Sequence, residues 1–98
     1  MLSQEALTLI RELRRFIGES RVGVTLDCLQ VIQVWGENCP DGLRPAMEEL
    51  ADSGLVRLDS TEGVPMPEVC AAYGLSEVAG LTVVRPLKDF EDRADLTA

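Results

Sequence analysis

The sequence predicts an α+β fold with three or four helices and a two-stranded β-hairpin, and three observations carry that expectation. Apolar residues over 2–17 recur at three- and four-residue steps. Polar residues over 27–37 keep the same period. Residues 55–59 alternate as a strand does, between a glycine and a loop rich in glycine and proline.

The first helix is expected over 3–17. Leu2, Ala6, Leu9, Ile10, Leu13, Phe16 and Ile17 form one apolar stripe. Ser3 suits the N-cap, Glu5 lies at the positive end of the helix dipole, Arg14 and Arg15 at the negative end, and Gly18 at the stop. Residues 25–37 hold Val31, Ile32, Val34 and Trp35, which favour a strand by propensity. Asp27, Gln30, Gln33 and Glu37 nevertheless align on one helical face, so a central core helix is expected, capped by Thr25 and with Trp35 as its largest apolar side chain. Asn38-Cys39-Pro40-Asp41-Gly42 reads as a turn. A third helix follows over 43–53, with Pro45 in its first turn, Leu43, Met47 and Leu50 inward, and Glu48, Glu49 and Asp52 outward.

Residues 55–59 are the first hairpin strand and 60–67 its loop. Glu68 to Leu75 reads best as the return strand, since the first would otherwise lack a partner. The alternative is a short helix opened by Pro67 and closed by Gly74. Ser76 suits the cap of a further short helix, and Leu81 to Val84 is its end or a strand. One domain over 1–86 is expected, with 87–98 a tail or a short helix around Leu87, Phe90 and Ala94.

Composition narrows the function. The net charge is −8, and residues 22–80 hold ten acids against Arg44 and Arg57, so the whole imbalance lies in that segment. Such a surface repels phosphate backbones and favours a basic partner. The chain has no histidine, no glycine-rich phosphate loop and no metal-ligand spacing, and Glu48 and Glu49 stand about 100° apart on a helix, which does not make a dyad. No enzymatic activity, cofactor or metal is therefore expected. Three cysteines without a C-x-x-C pair suggest reduced, buried thiols. No signal-peptide layout and no run of about 20 apolar residues is found, so a cytoplasmic location without membrane contact is expected.

Two phrases carry a family resemblance. Met47-Glu48-Glu49-Leu50-Ala51-Asp52-Ser53-Gly54-Leu55-Val56 resembles the end of the recognition helix in winged helix-turn-helix regulators. Tyr73-Gly74-Leu75-Ser76-Glu77, followed by Gly80 with one extra residue before it, is similar to the phrase that closes their wing. The resemblance spans roughly residues 24–80 and implies a small winged-helix-like domain. In DNA-binding members the start of the recognition helix meets base edges and the wing meets phosphates. The matching positions here are Asp41 to Arg44 and Asp59 to Glu68, where only Arg44 and the neighbouring Arg57 could serve. Two arginines among ten acids supply little counterion release.

The favoured reading is thus a small acidic interaction module that docks on a basic protein surface, of which a phage- or plasmid-type inhibitor or DNA mimic is one form. Its face would comprise Asp41, Glu48, Glu49, Asp52, Asp59, Glu62 and Glu68. The alternative is a winged-helix transcriptional regulator that binds DNA through Arg44 and Arg57 as a dimer. Homodimerisation is compatible with both, through Leu9, Leu13 and Phe16 on the first helix.

Overall fold

The computed structural model describes residues 2–62 and 66–90. The first helix, α1 (Gln4–Ile17), forms as its sequence dictates. Ser3 caps it by accepting the Ala6 amide at 3.2 Å, and Ala6, Leu9, Ile10, Leu13 and Ile17 are buried. Strand β1 (Thr25–Asp27) and helix α2 (Cys28–Trp35) follow. A helix expected over 25–37 is thereby corrected at its start: Thr25 lies in a strand, and Asp27 is the cap. The Asp27 carboxylate accepts the Gln30 amide while the Gln30 side chain accepts the Asp27 amide. That reciprocal pair fixes where the helix begins and outweighs the strand propensity of Val31, Ile32 and Val34.

Trp35 ends α2 and is 1% exposed. Its indole N–H donates to the Cys39 carbonyl at 2.8 Å, so the largest side chain of the core brings its own polar atom to a partner. This bond anchors the 3-10 turn Pro40–Gly42, which leads into α3 (Leu43–Asp52) with Pro45 in the first turn. Leu43, Ala46, Met47 and Leu50 of α3 are buried. Helix α1 packs on α2 and α3, and these two in turn pack on the sheet.

The sheet has the order β1-β3-β2 and is antiparallel throughout, with β2 at Val56–Ser60 and β3 at Val78–Val83. Its register places Thr25 beside Thr82 beside Arg57, and Asp27 beside Gly80 beside Asp59. The return strand is therefore not Glu68 to Leu75, and the short helix suggested after Ser76 is the strand itself. Residues Glu68–Ala72 form α4, and Gly74 follows with φ 76°. Only glycine takes that conformation without strain. The preferred strand reading there lost to the fit of proline at a helix start and glycine past its end. Partnering β2 did not require it, because 78–83 supply a more continuous apolar run: every residue of β3 except Ala79 is buried.

Two further expectations are revised. Cys28 and Cys70, both fully buried, are joined in a disulfide that ties the start of α2 to α4, whereas Cys39 is exposed. The reading of three reduced thiols is thus overturned. No spacing rule links cysteines 42 residues apart; the fold alone brings them together. Residues 87–90 form a 3-10 segment with Leu87 buried in the core, so the domain extends past 86. The remainder of the suggested terminal helix, with Ala94, lies outside the described residues. Among the described residues no helix is long and apolar enough to cross a membrane.

A Cβ at Gly80 would run into the Leu26 carbonyl and come within 2.8 Å of the Asp27 Cα. Both are backbone atoms of a paired strand. Gly80→Ala is expected to destabilise the domain by about 2 kcal/mol or more in urea unfolding, by forcing β1 from β3. Breaking the Cys28–Cys70 bond frees a separation of 42 residues in the unfolded chain. Loop-closure entropy makes that worth up to about 4 kcal/mol. A lower urea midpoint in the presence of a dithiol reductant, absent in the doubly Ala-substituted protein, is the expected readout.

Candidate functional site

The residues singled out for a partner-binding face fall into two groups. Arg44, Glu48 and Asp52 stand four residues apart on α3, and Glu48 and Asp52 are exposed. Asp41, in the turn just before α3, is exposed as well. Glu62 and Glu68 are exposed on the connection between β2 and β3. That connection touches the α3 face at one defined point: the Arg44 Nη1 donates to the Gly74 carbonyl at 2.8 Å, and the Arg44 stem lies under Gly74.

Glu49 and Asp59 are turned to internal tasks. The Glu49 carboxylate accepts the Ser3 backbone N–H at 3.0 Å, and the Ser3 hydroxyl as well. It therefore clasps the start of α1 to α3. The period of α3 places Glu49 at the edge of the apolar stripe, and nothing in the sequence reveals that Ser3 waits there. Asp59 accepts the Thr82 hydroxyl at 3.0 Å on the face of the sheet and is paired with Arg57 at 3.4 Å. Thr82, in turn, bonds Thr25 at 2.9 Å across β1, which makes a polar row over all three strands.

Both arginines proposed for DNA contact are similarly engaged. Arg44 bonds Glu48 at 3.2 Å in addition to the Gly74 carbonyl. Arg57 reaches Asp59 and, at 3.4 Å, the Thr82 hydroxyl. An exposed pair of this kind is weak, so each contact costs little to break. Together they nonetheless leave the α3 face without a cation that lacks an acidic neighbour.

The dimer helix is corrected. Leu9 and Leu13 are completely buried beneath α2 and α3 and present nothing to a second subunit. Phe16, at 49% exposed, is the one member of that trio on the surface. The amphipathic stripe of α1 is spent on the chain's own core, a use that periodicity cannot distinguish from an interface.

Comparison with family models, with curated proteins and with solved structures finds no match.

Glu49 titrates with the fold. Its carboxyl is held below the ordinary value of 4.5, first by the Ser3 hydroxyl and then by the Ser3 amide, which both donate to the ionised form. A folded-state value below the unfolded one means stability present above about pH 4.5 and lost as pH falls through the lowered value. Wild type should therefore exceed Glu49→Gln in stability at pH 7, and the gap should close toward pH 3. Urea midpoints measured across that range give the comparison; a gap independent of pH would place the stabilisation elsewhere.

Proposed function

We propose that this chain is a small acidic interaction module of winged-helix-like architecture that docks on a basic protein surface through the outer face of α3 and its preceding turn. The observation that carries the reading is the state of that face. Asp41, Glu48 and Asp52 are exposed there, while Arg44 is drawn aside to Glu48 and the Gly74 carbonyl. Glu62 and Glu68 add charge of the same sign from the neighbouring connection. The working face is smaller than the seven acids first named, because Glu49 and Asp59 are occupied inside the fold.

The winged-helix part of the reading draws on the order of elements. A helix pair joined by a short turn, α2 and α3, is followed by a hairpin of β2 and β3 packed beneath it. The departure is α4, which stands within the hairpin connection where a short polar wing is the family pattern. Duplex DNA is a poor occupant for this face. It would have to displace Arg44 and Arg57 from their carboxylates and then rely on two cations against a net charge of −8. A basic groove built for nucleic acid is the better complement, and occupying such a groove is how an inhibitor or DNA mimic would act.

Association should be steered by charge and weakened by salt, because the screening length falls from about 10 Å at 0.1 M to about 3 Å at 1 M. The test is capture of partners from host extract by wild type and by the Glu48→Lys, Asp52→Lys double variant, at low and high salt. A partner held by wild type at low salt, and lost both to salt and to charge reversal by tenfold or more (about 1.4 kcal/mol), is expected. Retention through both treatments would refute the reading. So would a gel shift of host DNA that Arg44→Ala abolishes.

A further inference from the structure

A second concentration of charge has the opposite sign and lies on α1. Arg11, Arg14 and Arg15, with Gly18 and Glu19, line a surface cleft of about 460 Å³. The apolar stripe of α1 faces α2 and α3; Arg11 and Arg15 are exposed and one helical turn apart, and Arg14 beside them is half-buried. Among the described residues Glu19 is the only acid in the lining. Its carboxylate accepts from the Arg14 Nη2 at 2.7 Å, and its backbone carbonyl is held from behind by the Lys88 amide at 2.9 Å. Glu12, outside the lining, pairs with Arg15 at 3.2 Å. The cleft therefore already holds one oxyanion, supplied by the chain itself from the irregular segment just past the helix.

We propose that this cleft binds a small phosphorylated ligand, with Arg11 and Arg15 gripping the phosphoryl oxygens and Arg14 exchanging the Glu19 carboxylate for them. Guanidinium groups match phosphate oxygens in pairs of parallel hydrogen bonds, which lysines do not. The size of the cleft suits a compact ligand, being toward the lower end of the roughly 300–1,000 Å³ range of small-molecule sites. Charge argues the same way. A nucleic-acid strand continuing beyond the cleft would run along a molecule of net charge −8, whereas a single phosphoryl group stays within reach of the three arginines. The carbonyls at the end of α1 oppose an anion there. Binding consequently rests on the guanidinium groups, and each removal should be felt. None of these residues belongs to the acidic face of α3, so failure of one reading leaves the other standing.

Inorganic pyrophosphate is the probe, titrated into the labelled full-length chain at constant ionic strength and followed by backbone amide shifts. Saturable shifts confined to residues 11–19 are expected, weakened about tenfold by Arg11→Ala or Arg15→Ala, which are surface changes whose folding the same spectra verify. Glu19→Gln should tighten binding by about fivefold, since it removes an internal competitor for Arg14; a merely structural Glu19 would leave affinity unchanged or lower it. Equal shifts from chloride, non-saturating shifts, or no gain in Glu19→Gln would overturn the proposal. Saturation by a single-stranded oligonucleotide with no response to pyrophosphate would overturn it in favour of a nucleic-acid site.

Discussion

Pairing of β3 along both of its edges is the interaction on which the architecture hangs. Strand β1 is three residues long and β2 is five, and neither touches the other; each finds its partner only when residues 78–83 lie between them. The helices depend on the same strand, because α2 packs on β3 and α3 on β2. A price in sequence freedom follows at Gly80, where the approach of Leu26 and Asp27 leaves no room for a side chain. The sheet also sets the polar chemistry of its outer face. Thr25, Thr82 and Arg57 come level across three strands, and Thr82 is the buried polar residue that joins them. Pairing of β2 with β3 is thus what brings Asp59 to Thr82, 23 residues away in sequence, and engages its carboxylate within the fold.

Local signals suffice where one segment contains its own explanation. Helix α1 carries its cap, stripe, charges and stop within residues 3–18, and the structure keeps them except that Phe16 of the stripe is exposed. The face of Asp27, Gln30, Gln33 and Glu37 is exposed as its spacing requires. Such signals fall short wherever a residue's role is set by something distant. Thr25 is too short a run from Asp27 to declare a strand without Leu81 opposite Leu26. Residues 68–72 satisfy a helix and a strand equally until 78–83 take the position beside β2. The pairing of Cys28 with Cys70, and the clasp between Ser3 and Glu49, join points that only the finished fold brings together. Among the site residues, the sign of the α3 face was legible from composition, while the internal engagement of Arg44, Arg57, Glu49 and Asp59 was not.

Charge on this molecule is divided rather than diffuse. Acids gather on α3, its preceding turn and the β2–β3 connection; arginines gather on α1. Net charge alone would describe both regions as one repulsive surface toward anions. Resolved by element, the same count gives two regions of opposite sign, one acidic and one rich in arginine. The helix dipole sharpens the contrast, since the arginine cleft sits at the end of α1 where cations are stabilised even without a ligand.

Trp35 gives the chain a built-in optical gauge. It is the sole tryptophan, so its emission belongs to one place: a buried site in the core, with the indole nitrogen fastened to the Cys39 carbonyl ahead of α3. Any event that loosens that fastening lets water reach the ring and moves the emitted light to longer wavelength. Docking that leaves α3 rigid would leave the colour unchanged, whereas docking that remodels it would announce itself without a label.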